Sequence, residues 1–250
     1  MYKFDVKKTA DAVIEWVRDL FEKTASPSTK VVIGISGGKD SSVAAAVCVA
    51  ALGKERVIGV LMPQGEQHDI DCARLLCSHL GIQSYEINVG ETVAAELKAV
   101  GEKLELTDQA RINTPARIRM TTLYAVGACV GGRVCNTCNA SEDYVGYSTK
   151  YGDAAGDFSP LSDLTVTEVI AIGDELGLPY ELTHKTPIDG LCGKTDEENL
   201  GFTYAMLDKY IRGEITLDDQ PEIRDHIERL HRANLHKLRL MPKFEFTPEK

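Results

Sequence analysis

Residues 31–42 limit what this chain can fold into more than any other stretch: Val-Val-Ile-Gly-Ile-Ser-Gly-Gly-Lys-Asp-Ser-Ser. Residues 31–35 form a short apolar, β-branched run, the pattern of a buried strand in a parallel sheet. A small, glycine-rich turn follows, and residues 43–52 are apolar on all sides and rich in alanine, as in a helix packed close to a sheet. Strand, glycine turn and helix together make an anion cradle. Glycines let the backbone approach a phosphate, and the free N–H groups at the helix start point at it. A plain strand-to-helix turn needs less than two adjacent glycines flanked by Ser36, Lys39, Asp40 and Ser41.

The spacing excludes two common phosphate loops. Counting from Gly34, the Gly-Lys pair comes one residue too early for a Walker A loop, and Asp40 follows the lysine where Ser or Thr should stand. The dinucleotide fingerprint G-x-G-x-x-G is also not met.

The bulk properties suit one α/β domain covering 1–250. The 250 residues can bury a sizeable core, and 43% apolar with 26% charged content is ordinary for a globular protein. A net charge of −10 argues against a nucleic-acid surface. No apolar run approaches the ~20 residues that span a membrane, and the first residues lack a signal-peptide core, so the cytoplasm is expected. Seven cysteines, an odd number without framework spacing, suit reduced thiols.

Periodicity and punctuation place helices at 5–24, 69–80, 91–104, 165–177 and 221–238. Further strands are expected at 56–62, 82–89 and 133–137, with a short fifth at 158–161. Residues 105–113 read as a connecting loop. Thr114-Pro115 then reads as the N-cap and first position of a helix reaching about Cys129. Thr165 to Glu168 has the form of a capping box, and Thr195 to Glu198 that of another, for a helix reaching about Arg212. Alternating strands and helices imply an open parallel sheet of about five strands, order 3-2-1-4-5, with helices on both faces. In such a sheet the ligand crevice lies where strand order reverses. The loops 36–42 and 137–142 should therefore converge, although a hundred residues separate them.

With these residues in view, the loop Ser36-Gly37-Gly38-Lys39-Asp40-Ser41 resembles the S-G-G-x-D-S loop of the ATP-pyrophosphatases, which cleave ATP between the α and β phosphates. Ala116-Arg117-Ile118-Arg119-Met120, Ser141-Glu142, Thr149-Lys150-Tyr151-Gly152-Asp153, Pro160-Leu161 and His236-Lys237 follow in an order that resembles the ammonia-dependent NAD+ synthetases. The resemblance implies an adenine-nucleotide hydrolase-like fold and ATP-dependent amidation of deamido-NAD+ by ammonia through an adenylated intermediate. It implies ATP contacts from Gly34, Ile35, Ser36, Gly37, Gly38, Lys39, Asp40, Ser41 and Thr137. It implies Mg2+ on Asp40 and Glu142, and deamido-NAD+ contacts from Arg117, Lys150, Asp157, His236 and Lys237. Asp153 and Lys39 are the expected catalytic residues, Asp153 near the ammonia site. Family members work as homodimers with the dinucleotide at the interface, and the same is expected here, with no nucleic-acid or membrane partner.

Taken singly these residues have plainer readings: Asp40 as a helix N-terminal charge, Glu142 as a solvated carboxylate, Arg117 and Lys150 as surface charges. Residues 229–243 carry five Lys or Arg, two His and no acid, which is either an anion-attracting patch or a solvated basic helix end. Two positions depart from the family pattern. Val166 stands where many members have a phosphate-contacting lysine, and Ile188 stands near a usual Ser or Thr, with Lys39, Lys185 or Lys194 expected to compensate. Cys135-x-x-Cys138 admits a tRNA-sulfurating enzyme as an alternative, and a non-catalytic nucleotide sensor is another. Nothing resembles a glutaminase domain, so free ammonia is the expected nitrogen source.

Overall fold

A computed structural model describes residues 2–67, 70–185, 196–239 and 241–247. In chain order the elements are α1 (Val6–Thr24), β1 (Lys30–Gly34), α2 (Lys39–Leu52), a 3₁₀ turn (Lys54–Arg56), β2 (Val57–Leu61), α3 (Ile70–Leu80), β3 (Gln83–Glu86), α4 (Gly90–Gly101) and α5 (Asp108–Val130). Then come β4 (Gly132–Cys135), α6 (Ala140–Val145), α7 (Val166–Glu175), α8 (Tyr180–Thr183), α9 (Asp196–Leu200), α10 (Tyr204–Ile211) and α11 (Pro221–Leu238).

The sheet is parallel, in the order β3-β2-β1-β4. Val32 lies opposite Ile58 on one side and Val134 on the other. Alternation along β1 sends Val31 and Ile33 into a core with α1, α2, α3 and α7, while Val32 joins Val60, Met120, Leu123 and Val134 beneath α4 and α5. Helices thus cover both faces, which is why β1 and β2 read as unbroken apolar runs. A third cluster, with Val145, Val166, Leu207 and Ile227, joins α6, α7, α10 and α11 beyond the β4 side.

Four expectations need correction. The fifth strand is reduced to a single parallel bridge between Cys135 and Phe158, because Pro160 follows two residues later and cannot extend a ladder. The third strand is only Gln83–Glu86, with every residue exposed at the sheet edge. Residues 108–113 are helical: α5 starts at Asp108 with Thr107 as N-cap, its hydroxyl accepting from the Ala110 N–H. Pro115 therefore sits inside α5, where Thr114 turns its hydroxyl back to the Ala110 carbonyl at 2.7 Å. Arg117 and Arg119 lie mid-helix. The helix expected from Thr195 is two shorter ones, α9 and α10, divided at Gly201, whose φ of 80° is left-handed; Thr195 itself lies outside the described residues. The capping box at Thr165 and Glu168 is present.

Candidate active site

The cradle follows directly from the chain. β1 ends at Gly34, and Gly38 caps α2 without a side-chain hydrogen bond, so the first N–H groups of α2 remain available to an anion. The loop is held by small hydroxyls. Ser36 Oγ accepts from the Gly38 N–H at 3.2 Å and lies 3.0 Å from Ser41 Oγ, while Ser42 Oγ donates to the Gly38 carbonyl at 2.7 Å. Gly37 has φ of 79° and leaves no room for a Cβ, which would lie 2.7 Å from the Ala73 backbone nitrogen. The cradle is therefore pressed against α3.

The loop after β4 meets the cradle as the strand order requires. Asn139 makes the junction. Its Oδ1 accepts from the N–H groups of Ser141 and Glu142, both at 3.0 Å, which caps α6, and its Nδ2 donates to Asp40 Oδ1 at 2.8 Å. One fully buried amide thus ties the start of α2 to the start of α6. Lys39 Nζ lies 2.9 Å from Asp40 Oδ2 and 3.8 Å from Glu142 Oε1, and the lysine side chain is 6% exposed. Burial, and then the neighbouring Asp40 charge, push the Glu142 carboxyl well above its usual range, although Lys39 opposes this. Burial lowers the affinity of Lys39 for its proton, but Asp40 and Glu142 more than offset it and the net shift is upward.

This pair of repelling carboxylates is suited to a hard divalent cation. Mg2+ is usually held by one or two carboxylates plus substrate phosphates and water. Among the described residues no group of three or more His, Cys, Asp or Glu is arranged to hold a metal, so Asp40 and Glu142 would hold Mg2+ together with phosphate oxygens.

A cavity of about 420 Å³ opens beside the cradle, lined by Gly34, Ile35, Ser36, Ser41, Thr137 and Asp153 among others. Arg119 also lines it, half-buried, donating from Nε to the Met62 carbonyl at 3.1 Å; burial lowers its pKa, with Asp153 opposing. Asp153 is held from behind, its Oδ1 accepting from the Thr149 N–H at 3.0 Å. A second cavity, of about 330 Å³, has Lys39 in its wall together with Val166, Lys185 and Tyr204. Lys39 and Lys185 thus both reach the space next to Val166, whereas Ile188 and Lys194 lie outside the described residues.

Arg117, Lys150, His236 and Lys237 come together at the end of α11. Arg117 Nε donates to the Lys150 carbonyl at 3.3 Å, and Lys150 Nζ to the His236 carbonyl at 2.6 Å. Lys237 Nζ donates to the carbonyls of Gly146 and Ser148 at 2.7 and 2.8 Å. Asp157 stands apart, bound through Oδ2 to the Val134 N–H at 2.7 Å and through Oδ1 to the Tyr124 hydroxyl at 3.3 Å.

The cysteine pair gives little support to redox chemistry. Cys135 Sγ lies 3.9 Å from Cys48, and Cys138 Sγ donates to the Asp153 carbonyl at 3.2 Å. Burial pushes both thiols well above their ordinary pKa, away from the thiolate form that reacts or binds metal.

The sequence alone assigns no site role to Asn139 or Asn136, and shows Arg119 only as part of the Ala116–Met120 motif. Asn139 had a usable signal: an Asn just before a short Ala-Ser-Glu turn, after a strand, is an N-cap pattern. Asn136 had none, since its amide holds backbone carbonyls of Asp153 and Ala155 from a distant segment.

These features define an α/β protein with an anion cradle and a paired-carboxylate site at the carboxyl ends of β1 and β4. The chain belongs to the NAD synthase family, which it matches over residues 9–243. It is 34% identical to the NH(3)-dependent NAD(+) synthetase of Pyrococcus furiosus, over 96% of this chain and 95% of that protein. The fold is similar to that of the NMN synthetase of Francisella tularensis, with a TM-score of 0.88 and 31% identity over 98% of this chain and 100% of that one. It is also similar to the NH3-dependent NAD synthetase of Campylobacter jejuni, with a TM-score of 0.80 and 27% identity over 97% and 100%. No helix among the described residues is long and apolar enough to cross a membrane.

Proposed function

We propose that this protein is a C–N bond-forming ligase that uses ATP and ammonia to convert the nicotinate carboxylate of deamido-NAD+ into the amide of NAD+. The observation that carries this reading is the Asn139–Asp40 hydrogen bond at 2.8 Å, which brings the cradle and the Glu142 loop to one crevice in a chain of the NAD synthase family.

The chemistry needs that crevice. A carboxylate is a poor electrophile, so its oxygen first attacks the α phosphorus of ATP, the bond to the β-bridging oxygen breaks, and an acyl-adenylate and diphosphate result. The nitrogen lone pair of ammonia then attacks the acyl carbon, the bond to AMP breaks and the nitrogen loses a proton. Such steps depend on positioning and charge neutralisation. In this reading Gly34 and Ile35, with Thr137 opposite, bound the adenosine space; the N–H groups of Gly37, Lys39, Asp40 and Ser41 with the Ser36 and Ser41 hydroxyls hold phosphate oxygens, and Gly38 lets the backbone come close to them. Lys39 adds a positive charge. Asp40 and Glu142 hold Mg2+, which supplies further charge neutralisation when bound. Asp153, at the cavity wall, faces the nitrogen nucleophile. Arg117, Lys150, His236 and Lys237, which meet at the end of α11, hold the dinucleotide, and Asp157 contributes from its separate place beside Tyr124. We expect a homodimer, consistent with Ile112 and Tyr124 standing exposed on α5, and a cytoplasmic location.

A second reading has its own support. The Francisella tularensis protein, aligned over 98% of this chain and 100% of its own, is an NMN synthetase. The mononucleotide acid then replaces the dinucleotide acid as acceptor, with the same adenylation. The deciding experiment measures AMP and diphosphate release with ammonium and either acid, in the native protein and in Asp40→Asn and Glu142→Gln. Full activity in both variants refutes the metal assignment, and turnover of the mononucleotide acid alone refutes the NAD+ reading. Glutamine in place of ammonium should give no product.

A further inference from the structure

Tyr204, in the wall of the second cavity, carries a buried polar group that has no hydrogen-bond partner among the described residues. Tyr204 opens α10 and is held there, its backbone N–H donating to Glu197 Oε1 at 2.8 Å and the preceding Thr203 capping the helix through the Met206 N–H. Its side chain is 5% exposed, yet its hydroxyl is buried without a hydrogen-bond partner among the described residues. A buried hydroxyl left unpaired is costly, so a fold that keeps one has a reason to. The Tyr204 ring lies beside the cradle lysine, with Lys39 Nζ 5.7 Å from its centroid. Val166, apolar and 6% exposed, lines the same wall and can donate nothing. Lys39 and Lys185 make the same space attractive to an anion, and Asp196 and Glu197 set its acidic side.

We propose that Tyr204 is a direct substrate contact: its hydroxyl donates to the terminal phosphates of ATP, and to diphosphate after cleavage, at a place where the chain has an apolar Val166. This rests on the reading that the cradle binds ATP. A phosphate oxygen is a strong acceptor of the kind the hydroxyl lacks, and Lys39 links the cradle to this cavity. The bound anion supplies the acceptor that no described residue gives the hydroxyl.

The test is Tyr204→Phe, which keeps the ring and removes only the oxygen. Binding of inorganic diphosphate and of AMP is measured separately by calorimetry in the presence of Mg2+, with thermal unfolding of the free protein alongside. The expected result is diphosphate affinity weakened about 10–100-fold, AMP affinity within twofold, and unfolding temperature of the free protein equal to or above that of the native chain. A merely structural hydroxyl would instead lower the unfolding temperature and leave the two ligands equally affected. Diphosphate affinity unchanged in Tyr204→Phe, while the native protein binds both ligands, overturns this proposal alone. Failure of the native protein to bind either ligand overturns it together with the ATP reading.

Discussion

Replacing Gly37 by alanine tests the cradle where its geometry is tightest. At φ of 79° an L-residue is strained, which costs about 1–2 kcal/mol. The new Cβ would also lie 2.7 Å from the Ala73 nitrogen and 2.8 Å from Cys72 Cβ, both on α3. Neither atom is the tip of a flexible side chain, so the loop or the helix must shift, and such overpacking costs about 1–3 kcal/mol. Together the loss is about 2–5 kcal/mol, which for a chain of this size lowers the unfolding temperature by about 4–20 °C. Gly38→Ala is the internal control. Its Cβ meets only Ser36 Oγ, at 3.4 Å, with no left-handed φ, and as a change of N-cap it costs about 1 kcal/mol or less. Urea unfolding followed by far-UV circular dichroism gives both stabilities, and calorimetry gives ATP affinity. Gly37→Ala should also weaken ATP binding, because the shift moves the N–H groups that face the phosphate. A stability loss below about 1 kcal/mol with ATP affinity within twofold of native would refute both the steric argument and the cradle assignment.

Asp208 is 3% exposed and holds three groups at once: Ser141 Oγ at 2.5 Å, the Thr167 N–H at 2.8 Å and Thr167 Oγ1 at 2.6 Å. Asp208→Asn should cost about 1.5–3 kcal/mol in urea unfolding and lower kcat more than it raises KM, because Ser141 adjoins Glu142; unaltered kcat would show that α6 needs no such anchor. Asn139→Ala removes the α6 cap and the tie to Asp40, and should cost about 1–2 kcal/mol while raising the Mg2+ concentration needed for half-maximal turnover; an unchanged Mg2+ requirement would separate Asn139 from the metal site. Burial alone would raise the pKa of Glu168, but hydrogen bonds from Arg212 at 2.5 and 2.7 Å, from Tyr2 and from the Thr165 N–H leave it lowered. A depressed carboxyl stabilises the fold above the unfolded value, about 4.3, and loses that contribution as pH falls through the folded value. Thermal melts from pH 7 to 3 should therefore show the gap between native protein and Glu168→Gln closing on acidification; a gap that stays constant has the sign wrong.

What the sequence made legible is set by how local the governing interaction is. The β1 strand, its turn and α2 were readable because burial on both faces and a phosphate-sized bend each leave a composition of their own over about a dozen residues. The start of α5 was misread because Thr114-Pro115 carries a strong local cap signal that Thr107-Asp108 also carries, and the longer helix gains packing of Met120 and Leu123 against the sheet either way. A proline inside a helix is costly. The Thr114 hydroxyl bound to the Ala110 carbonyl shows how local bonding adapts there. The fifth strand stops at one bridge because Pro160 follows it, and the chain then has a non-local destination. Residues 158–161 alternate acceptably, but after the Phe158 bridge the chain turns to deliver Leu161 and Leu164 to the core that α7 shares.

The site divides along the same line. Lys39, Asp40 and Glu142 sit in short patterns that the sequence displays, but it does not display their electrostatics, since the shift at Glu142 comes first from its burial in the folded chain and then from Asp40, which Asn139 holds in place. Tyr204 illustrates the further limit. Nothing in Phe-Thr-Tyr-Ala distinguishes a packing tyrosine from a phosphate contact; the distinction lies in a hydroxyl left without an acceptor next to Lys39 and Val166, three segments that meet only in the folded chain. The cradle loop borders both cavities, with Ser36 and Ser41 turned to one and Lys39 to the other. A nucleotide seated there would meet both cavities at the Gly-Gly bend. In the proposed reaction the scissile bond would then lie where the N–H groups, Lys39, Asp40 and Glu142 converge.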